Sequence, residues 1–187
     1  IAIEKQVRRF IHTSSISAFG FHDGVINETS ERHALASGVN YLKTKYLGEC
    51  VVQDAVRDGK LDAVILNPCA IIGPFDRHNW SQLFRMIKDN RLPGVPSGEG
   101  CYCHVDEVAR AHIRAFERGR CGENYILGGV TCSFLDVVTH IGTLLNMPVP
   151  TQTVLSLVLT ALGWSSFVMS LITRREPNMT PEKALMV

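Results

Sequence analysis

Two short apolar runs with a long helical stretch between them constrain this chain more than any other feature. "VRRFIHTSS" passes from basic residues into a run that reads as a buried strand, Phe10 to Thr13, with Ser14 and Ser15 at its carboxyl end. From about Asn40 to Arg57 the pattern is helical, and Gly59 supplies a stop just beyond it. In "LDAVILNP", Ala63 to Leu66 forms a second short run, closed by Asn67 and Pro68. Strand, long helix, strand is the crossover rhythm of a parallel sheet, so the fold class is α/β. Such sheets hold ligands at the carboxyl ends of their strands, where Ser14, Ser15 and Asn67 all fall.

The remainder continues in kind. Residues 20 to 33 read as a loop, and "IIGPFD" as a turn-like exit from the second strand. Trp80, Leu83, Phe84 and Ile87 recur at the spacing of an amphipathic helix. After a Pro/Gly-rich loop, "CYCHV" predicts a short strand. "DEVARAHIRAFERG" predicts a helix with Asp106 as cap and Gly119 as stop. "ENYILGG" reads as strand and turn, and "SFLDVVTHIGTLLN" as a helix capped by Ser133. Residues 154 to 172 carry no charge and are just long enough to span a bilayer. Ser156, Thr160, Gly163 and Ser170 form a mildly polar stripe along them, which favours packing on protein over membrane association.

Composition narrows the partners. The 187 residues have a formal net charge of +1, so no long-range field favours nucleic acid or an anionic membrane. A small-molecule substrate is expected, and a homodimer is compatible with the sequence. Six cysteines occur without a CxxC pair, and Cys101-x-Cys103 followed by His104 lacks a second ligand cluster. Free thiols, no metal and a reducing, cytoplasmic compartment are expected. The sequons at Asn27 and Asn178 have no signal peptide beside them.

"YLKTK" carries the chemistry. Tyr41 and Lys45 stand four apart, one above the other on a helix. A tyrosine can protonate a developing alkoxide, but its ordinary pKa of about 10 makes it reluctant near neutrality. An ammonium one turn away favours the phenolate and can also hold a ribose hydroxyl. A serine from the 14–15 pair would hydrogen-bond the same substrate oxygen. The set has no strong nucleophile and suits hydride transfer at an alcohol carbon, with a cofactor carrying the difficult step. The rival readings are a helical pair without function and a serine that only caps a turn. No G-x-S-x-G elbow frames Ser14 or Ser15, and His12, His22, His33 and His78 form no triad order. His104 and Asp106 read as a hydrogen-bonded strand–helix junction.

Taken together, "HTSSISAFG", "YLKTK", "NPCAIIGP", "HVDEVARAHIRAFERGRCGENYILGG" and "TRREPNMTPE" resemble the extended short-chain dehydrogenase/reductase family. The likeness is greatest to the dihydroflavonol-4-reductase-like branch of its NAD-dependent epimerase/dehydratase group. It covers nearly the whole chain. It implies a partial Rossmann-type parallel sheet with helices on both faces, plus a smaller, mostly helical substrate lobe. By the resemblance, residues 1–74 form the catalytic half of an NAD(P)-binding domain. Residues 75–187 are mainly the lobe, with 101–118 returning to the first domain.

The same resemblance implies site roles. Tyr41 is the acid–base, Lys45 its ribose-binding partner that lowers its pKa, and Ser15 holds the substrate oxygen, with Gly20 the glycine of its run. Thr13, Ser14, Asn67, Pro68 and Ala70 join Tyr41 and Lys45 as cofactor-binding residues, Gly73-Pro74 completing the turn. The cofactor is NADP or NAD. The reaction is hydride transfer between nicotinamide and a carbonyl or secondary alcohol. The near alternative is a nucleotide-sugar epimerase, for which Arg77, Arg85, Lys88 and Arg91 are candidate diphosphate ligands. Ile16 and Ser17 stand where a dehydratase would carry a carboxylate. The alternative of a different class is a non-catalytic binding or structural protein on a truncated scaffold. The G-x-x-G-x-x-G fingerprint is not among these residues, so the chain is expected to be a fragment lacking the glycine-rich half. Tight dinucleotide binding by these residues alone is not expected.

Overall fold

The computed structural model describes residues 1–92 and 94–154. In chain order its elements are β1 (Phe10–Thr13), 3-10 turns at Ile16–Phe19 and Ala34–Ala36, α1 (Asn40–Arg57), β2 (Ala63–Pro68), β3 (Ala70–Ile72) and α2 (Ser81–Lys88). Then follow β4 (Val95–Pro96), β5 (Glu99–His104), α3 (Val105–Arg118), β6 (Asn124–Leu127), β7 (Val130–Ser133), α4 (Phe134–Leu145) and β8 (Thr153–Val154). The chain divides into two compact units, Ile1–Gly73 with Cys101–Val130, and Pro74–Gly100 with the residues from Thr131.

The first unit is an α/β layer structure on a parallel sheet. Its strand order is β1-β2-β6, with Phe10 opposite Ala63 and Ile65 opposite Asn124. β2 is central and buried along its whole length, which is why it reads as a continuous apolar run instead of alternating. Its odd residues Ala63 and Ile65 pack with Phe10 against Val52 and Val56 of α1. Its even residues Val64 and Leu66 pack with Ile11 against Ala111 and Ala115 of α3. The period of two along the strands thus sends helices to opposite faces. Each fully buried aliphatic side chain in these layers contributes about 1.5–3 kcal/mol.

Arg9 and Asp62 brace the entries of the two strands. Two guanidinium nitrogens of Arg9 contact the carboxylate oxygens at 3.0 Å, and Nη1 also donates to the carbonyls of Ala115 and Phe116 at the end of α3.

Four points differ from the sequence expectation. Asn67 and Pro68 continue β2 instead of closing it, pairing with Ile126 and Leu127. Proline is tolerated there because β1 has already ended at Thr13, opposite Leu66, so no ladder hydrogen bond is lost on that side. The stretch read as a turn-like exit holds β3, parallel to β5. At α3 the cap is His104, not Asp106: the Nδ1 of His104 accepts from the Asp106 backbone N–H at 3.2 Å, and Asp106 lies in the first turn. β6, outside the returning stretch read from sequence, adds to the main sheet.

In the second unit, Ile87, Val95, Val138 and Ile141 make a core supported by Leu83, Phe84 and Val149. Ser133 and Asp136 form a reciprocal capping box at the start of α4, and Asn146 ends that helix in the left-handed conformation. β4 and β8 pair in parallel. The uncharged stretch read from the sequence lies outside the described residues apart from its first position, Val154. Among the described residues no helix is long and apolar enough to cross a membrane. All six cysteines are free thiols.

Candidate active site

The carboxyl ends of β1 and β2 lead into the residues singled out by the sequence. After Thr13 the chain turns into the 3-10 helix Ile16–Phe19, capped by Ser15, whose Oγ accepts from the Ser17 N–H at 3.1 Å. Gly20 ends the turn at φ +86°, and a Cβ there would stand 2.5 Å from the carbonyl carbon of His33 and 2.6 Å from the nitrogen of Ala34. Only glycine lets the two backbones come that close. Ala18 and Phe19 are fully buried, and α1 packs on this turn.

Along β1 the side chains alternate between the two helical layers. Thr13 points to α3, where its Oγ1 lies 2.7 Å from Nε2 of His112. The other ring nitrogen of His112 is 2.7 Å from the Val108 carbonyl, so it carries the proton and Nε2 accepts from Thr13. His12 and Ser14 face α1. The His12 ring lies beside Gly48 of α1. Burial pushes the His12 imidazole below its ordinary pKa; Glu49 opposes the shift and Lys45 adds to it. Ser14 is 3% exposed and its N–H donates to the Leu66 carbonyl. Its Oγ, like Nε2 of His12, is buried with no hydrogen-bond partner among the described residues.

Tyr41 and Lys45 occupy the first turns of α1, with Tyr41 43% exposed and the Lys45 ammonium 5.8 Å from the centre of its ring. Two turns further on the same face, Glu49 is buried at 1% exposure. Its Oε2 lies 3.0 Å from Nη1 of Arg32, an ion pair off the hydrogen-bond line, and it accepts from Asn124 at 3.3 Å. Its Oε1 accepts from the side-chain amide of Asn67. Asn67, fully buried on β2, also donates to the Ser15 carbonyl at 3.0 Å and accepts from Asn124 at 3.0 Å.

The structure therefore joins Ser15, Asn67 and α1 through hydrogen bonds, and pairs Tyr41 with Lys45. Thr13 is turned toward α3 and engaged there. Pro68 is buried and Ala70 half-buried at the start of β3. Sequence reading missed Arg32 and Glu49. The spacing of four from Tyr41 through Lys45 to Glu49 was the available signal for the carboxylate. Arg32 sits in a polar loop and gave none.

A buried hydroxyl at the carboxyl end of a parallel strand, without a partner among the described residues, fits a polar ligand such as a dinucleotide. Comparison with known proteins agrees with this setting. The chain is 32% identical over 149 residues to sterol demethylase protein B of Methylococcus capsulatus, covering 77% of this chain and 44% of the relative. It is 29% identical over 157 residues to a putative dihydroflavonol 4-reductase of Synechocystis, covering 79% and 45%. The chain thus spans less than half the length of these curated relatives. Among solved structures, a nucleoside-diphosphate-sugar epimerase from Pseudomonas aeruginosa superposes with a TM-score of 0.79 at 24% identity, over 98% of this chain and 61% of that one, a likeness of fold. Residues 1–128 match the profile described as the NAD dependent epimerase/dehydratase family, and the chain belongs to that family.

Proposed function

We propose that the protein carrying this chain is an NAD(P)-dependent oxidoreductase acting on a carbonyl or secondary alcohol, with the reacting groups on Ser15, Tyr41 and Lys45. The observation that carries the reading is the placement of Tyr41 and Lys45 one turn apart near the start of α1, the helix that packs on the turn Ser15 begins. Nicotinamide, when bound, supplies or accepts the hydride. Tyr41 exchanges a proton with the substrate oxygen through its phenol. The Lys45 ammonium supports that exchange electrostatically and holds a ribose hydroxyl. Ser15 donates a hydrogen bond to the same oxygen from its Oγ, which in this structure accepts from Ser17 and so keeps its own proton free to donate. Ser14, Asn67, Pro68 and Ala70 line the strand ends where the cofactor would lie, and Thr13 shapes them from behind through His112.

Reductase chemistry is preferred to epimerisation on one observation. The curated Synechocystis relative is named a putative dihydroflavonol 4-reductase, whereas the likeness to the solved epimerase, at 24% identity, is one of fold. The reading is tested in the natural polypeptide that contains this sequence, by following NADH and NADPH consumption with a panel of ketones and aldehydes. Tyr41→Phe is expected to lower kcat at least about 100-fold, the lower end of the range for a general acid–base, with cofactor affinity little changed. Turnover of a nucleotide sugar to its epimer without net cofactor oxidation would overturn it.

A further inference from the structure

A buried carboxylate is an expensive way to fill a helix face, because it must be paired and hydrogen-bonded to be tolerated at all. Glu49 meets that cost with groups from three other parts of the fold: Arg32 from the loop before α1, Asn67 from β2 and Asn124 from β6. Gln53, one turn further along α1, donates to Asn124 at 3.2 Å. Arg32 in turn lies over the ring of Phe19, 3.5 Å from its centre, in the turn that follows Ser15. An apolar side chain would bridge the same helix and strands more cheaply. What the polar version adds is a direction: its hydrogen bonds run from the α1 face bearing Tyr41 and Lys45 to the carbonyl of Ser15.

We propose that Glu49 is a positioning residue for the reaction, acting through Asn67 to hold Ser15 in register with Tyr41. The Asn67 amide is shared between the Glu49 carboxylate and the Ser15 carbonyl, so the carboxylate fixes the orientation of the group that grips the serine. Tyr41 and Glu49 ride on one rigid helix. The serine is thereby referenced to the same body as the tyrosine. Replacing the carboxylate with an amide keeps the volume but turns one acceptor into a donor facing donors from Asn67, Asn124 or Arg32. The Asn67 amide then loses its defined orientation and the Ser15 turn loosens. A misplacement of about 1 Å at a reacting group can cost on the order of 100-fold in rate.

The inference rests on the proposed roles of Ser15 and Tyr41, and its test separates the two. In the natural polypeptide, Glu49→Gln is expected to lower kcat by roughly 10- to 100-fold with the cofactor KM changed less than about twofold. In a Ser15→Ala background the same substitution should cost less than about twofold, because the group it positions is gone. Equal losses in both backgrounds would overturn the proposal and leave Glu49 a brace of the fold only. The second readout needs no turnover. Amide exchange at Ser17 and Ala18 should accelerate in Glu49→Gln while the amides of β2 and β6 stay protected; uniform acceleration would overturn the link to Ser15. Absence of activity in the parent polypeptide, with local acceleration at Ser17, would fault the proposed function and not the coupling. Should Glu49→Gln not fold, Asn124→Ala, which removes donors to both Glu49 and Asn67, is read in the same cycle with the same deciding outcomes.

Discussion

Arg9 and Asp62 face each other through two parallel contacts of 3.0 Å, tying the start of β1 to the start of β2. This fork holds the Asp62 carboxyl below the usual carboxylate range, chiefly through the hydrogen bond from Arg9, against an opposing effect of burial. A carboxylate with a depressed folded pKa contributes stability that is complete above its unfolded value, near about 4. That stability is lost as pH falls through the folded value. Asp76, which accepts backbone N–H groups from His78, Asn79 and Ser81, adds to the same acid limb. Asp62→Asn should therefore lower stability at neutral pH and flatten its decline below pH 4, as read by urea unfolding at stepped pH.

His12 gives a second and higher acid limb. Its imidazole is pushed down by burial between β1 and α1, so the folded protein prefers the neutral ring. Its contribution is fully present above the unfolded value near about 6.5 and is lost as pH falls toward the lower folded value. An NMR titration of the ring C–H resonance should give a midpoint below that of a histidine peptide. A midpoint at or above it would mean that Glu49 dominates the environment instead of burial.

The thiols should separate sharply in reactivity. Cys69 is buried and its thiol is pushed up to about 12, by burial first and by the neighbouring Cys101 and Cys103. Cys103 is also raised, again mainly by burial. Thiolate is the reactive form, so a disulfide reagent at pH 8 should modify exposed Cys121 quickly. Cys69 and Cys103 should react only on unfolding, with peptide mapping as the readout.

Gly20→Ala tests the close approach at the end of the serine turn. The backbone there lies in a region that costs a residue with a side chain roughly 1–3 kcal/mol. The new methyl would also meet backbone atoms of His33 and Ala34 that cannot rotate away. Overpacking adds about 1–3 kcal/mol, so a loss of roughly 2–6 kcal/mol is expected. It should appear as a lower urea midpoint with an unchanged slope.

Where a local pattern decided the outcome, the sequence was legible. The bounds of α1 and β1 and the Ser133 cap of α4 follow from periodicity, an apolar run and a capping residue, all carried by neighbours in the chain. What escaped depends on partners distant in sequence. The three residues of β3 become a strand only because β5 lies alongside, and Pro68 stays in β2 only because β6 pairs with it. Arg32 looks like any loop arginine until the fold brings Glu49 within 3.0 Å. Tyr41 and Lys45 were visible because their chemistry needs one helical turn; the network behind them spans five segments, and no local spacing encodes it.

Helix α1 runs from solvent into the interior along a single face, from Tyr41 at 43% exposure to Glu49 at 1%. The exposed positions Tyr41 and Thr44 of its opening turns can accept new side chains with little consequence for folding, whereas buried Leu42 and Glu49 cannot. A directed-evolution library confined to those exposed positions would therefore sample altered reactivity among well-folded variants. One that also varied Leu42, Glu49 and Val52 would lose many of its members to misfolding before they could be assayed.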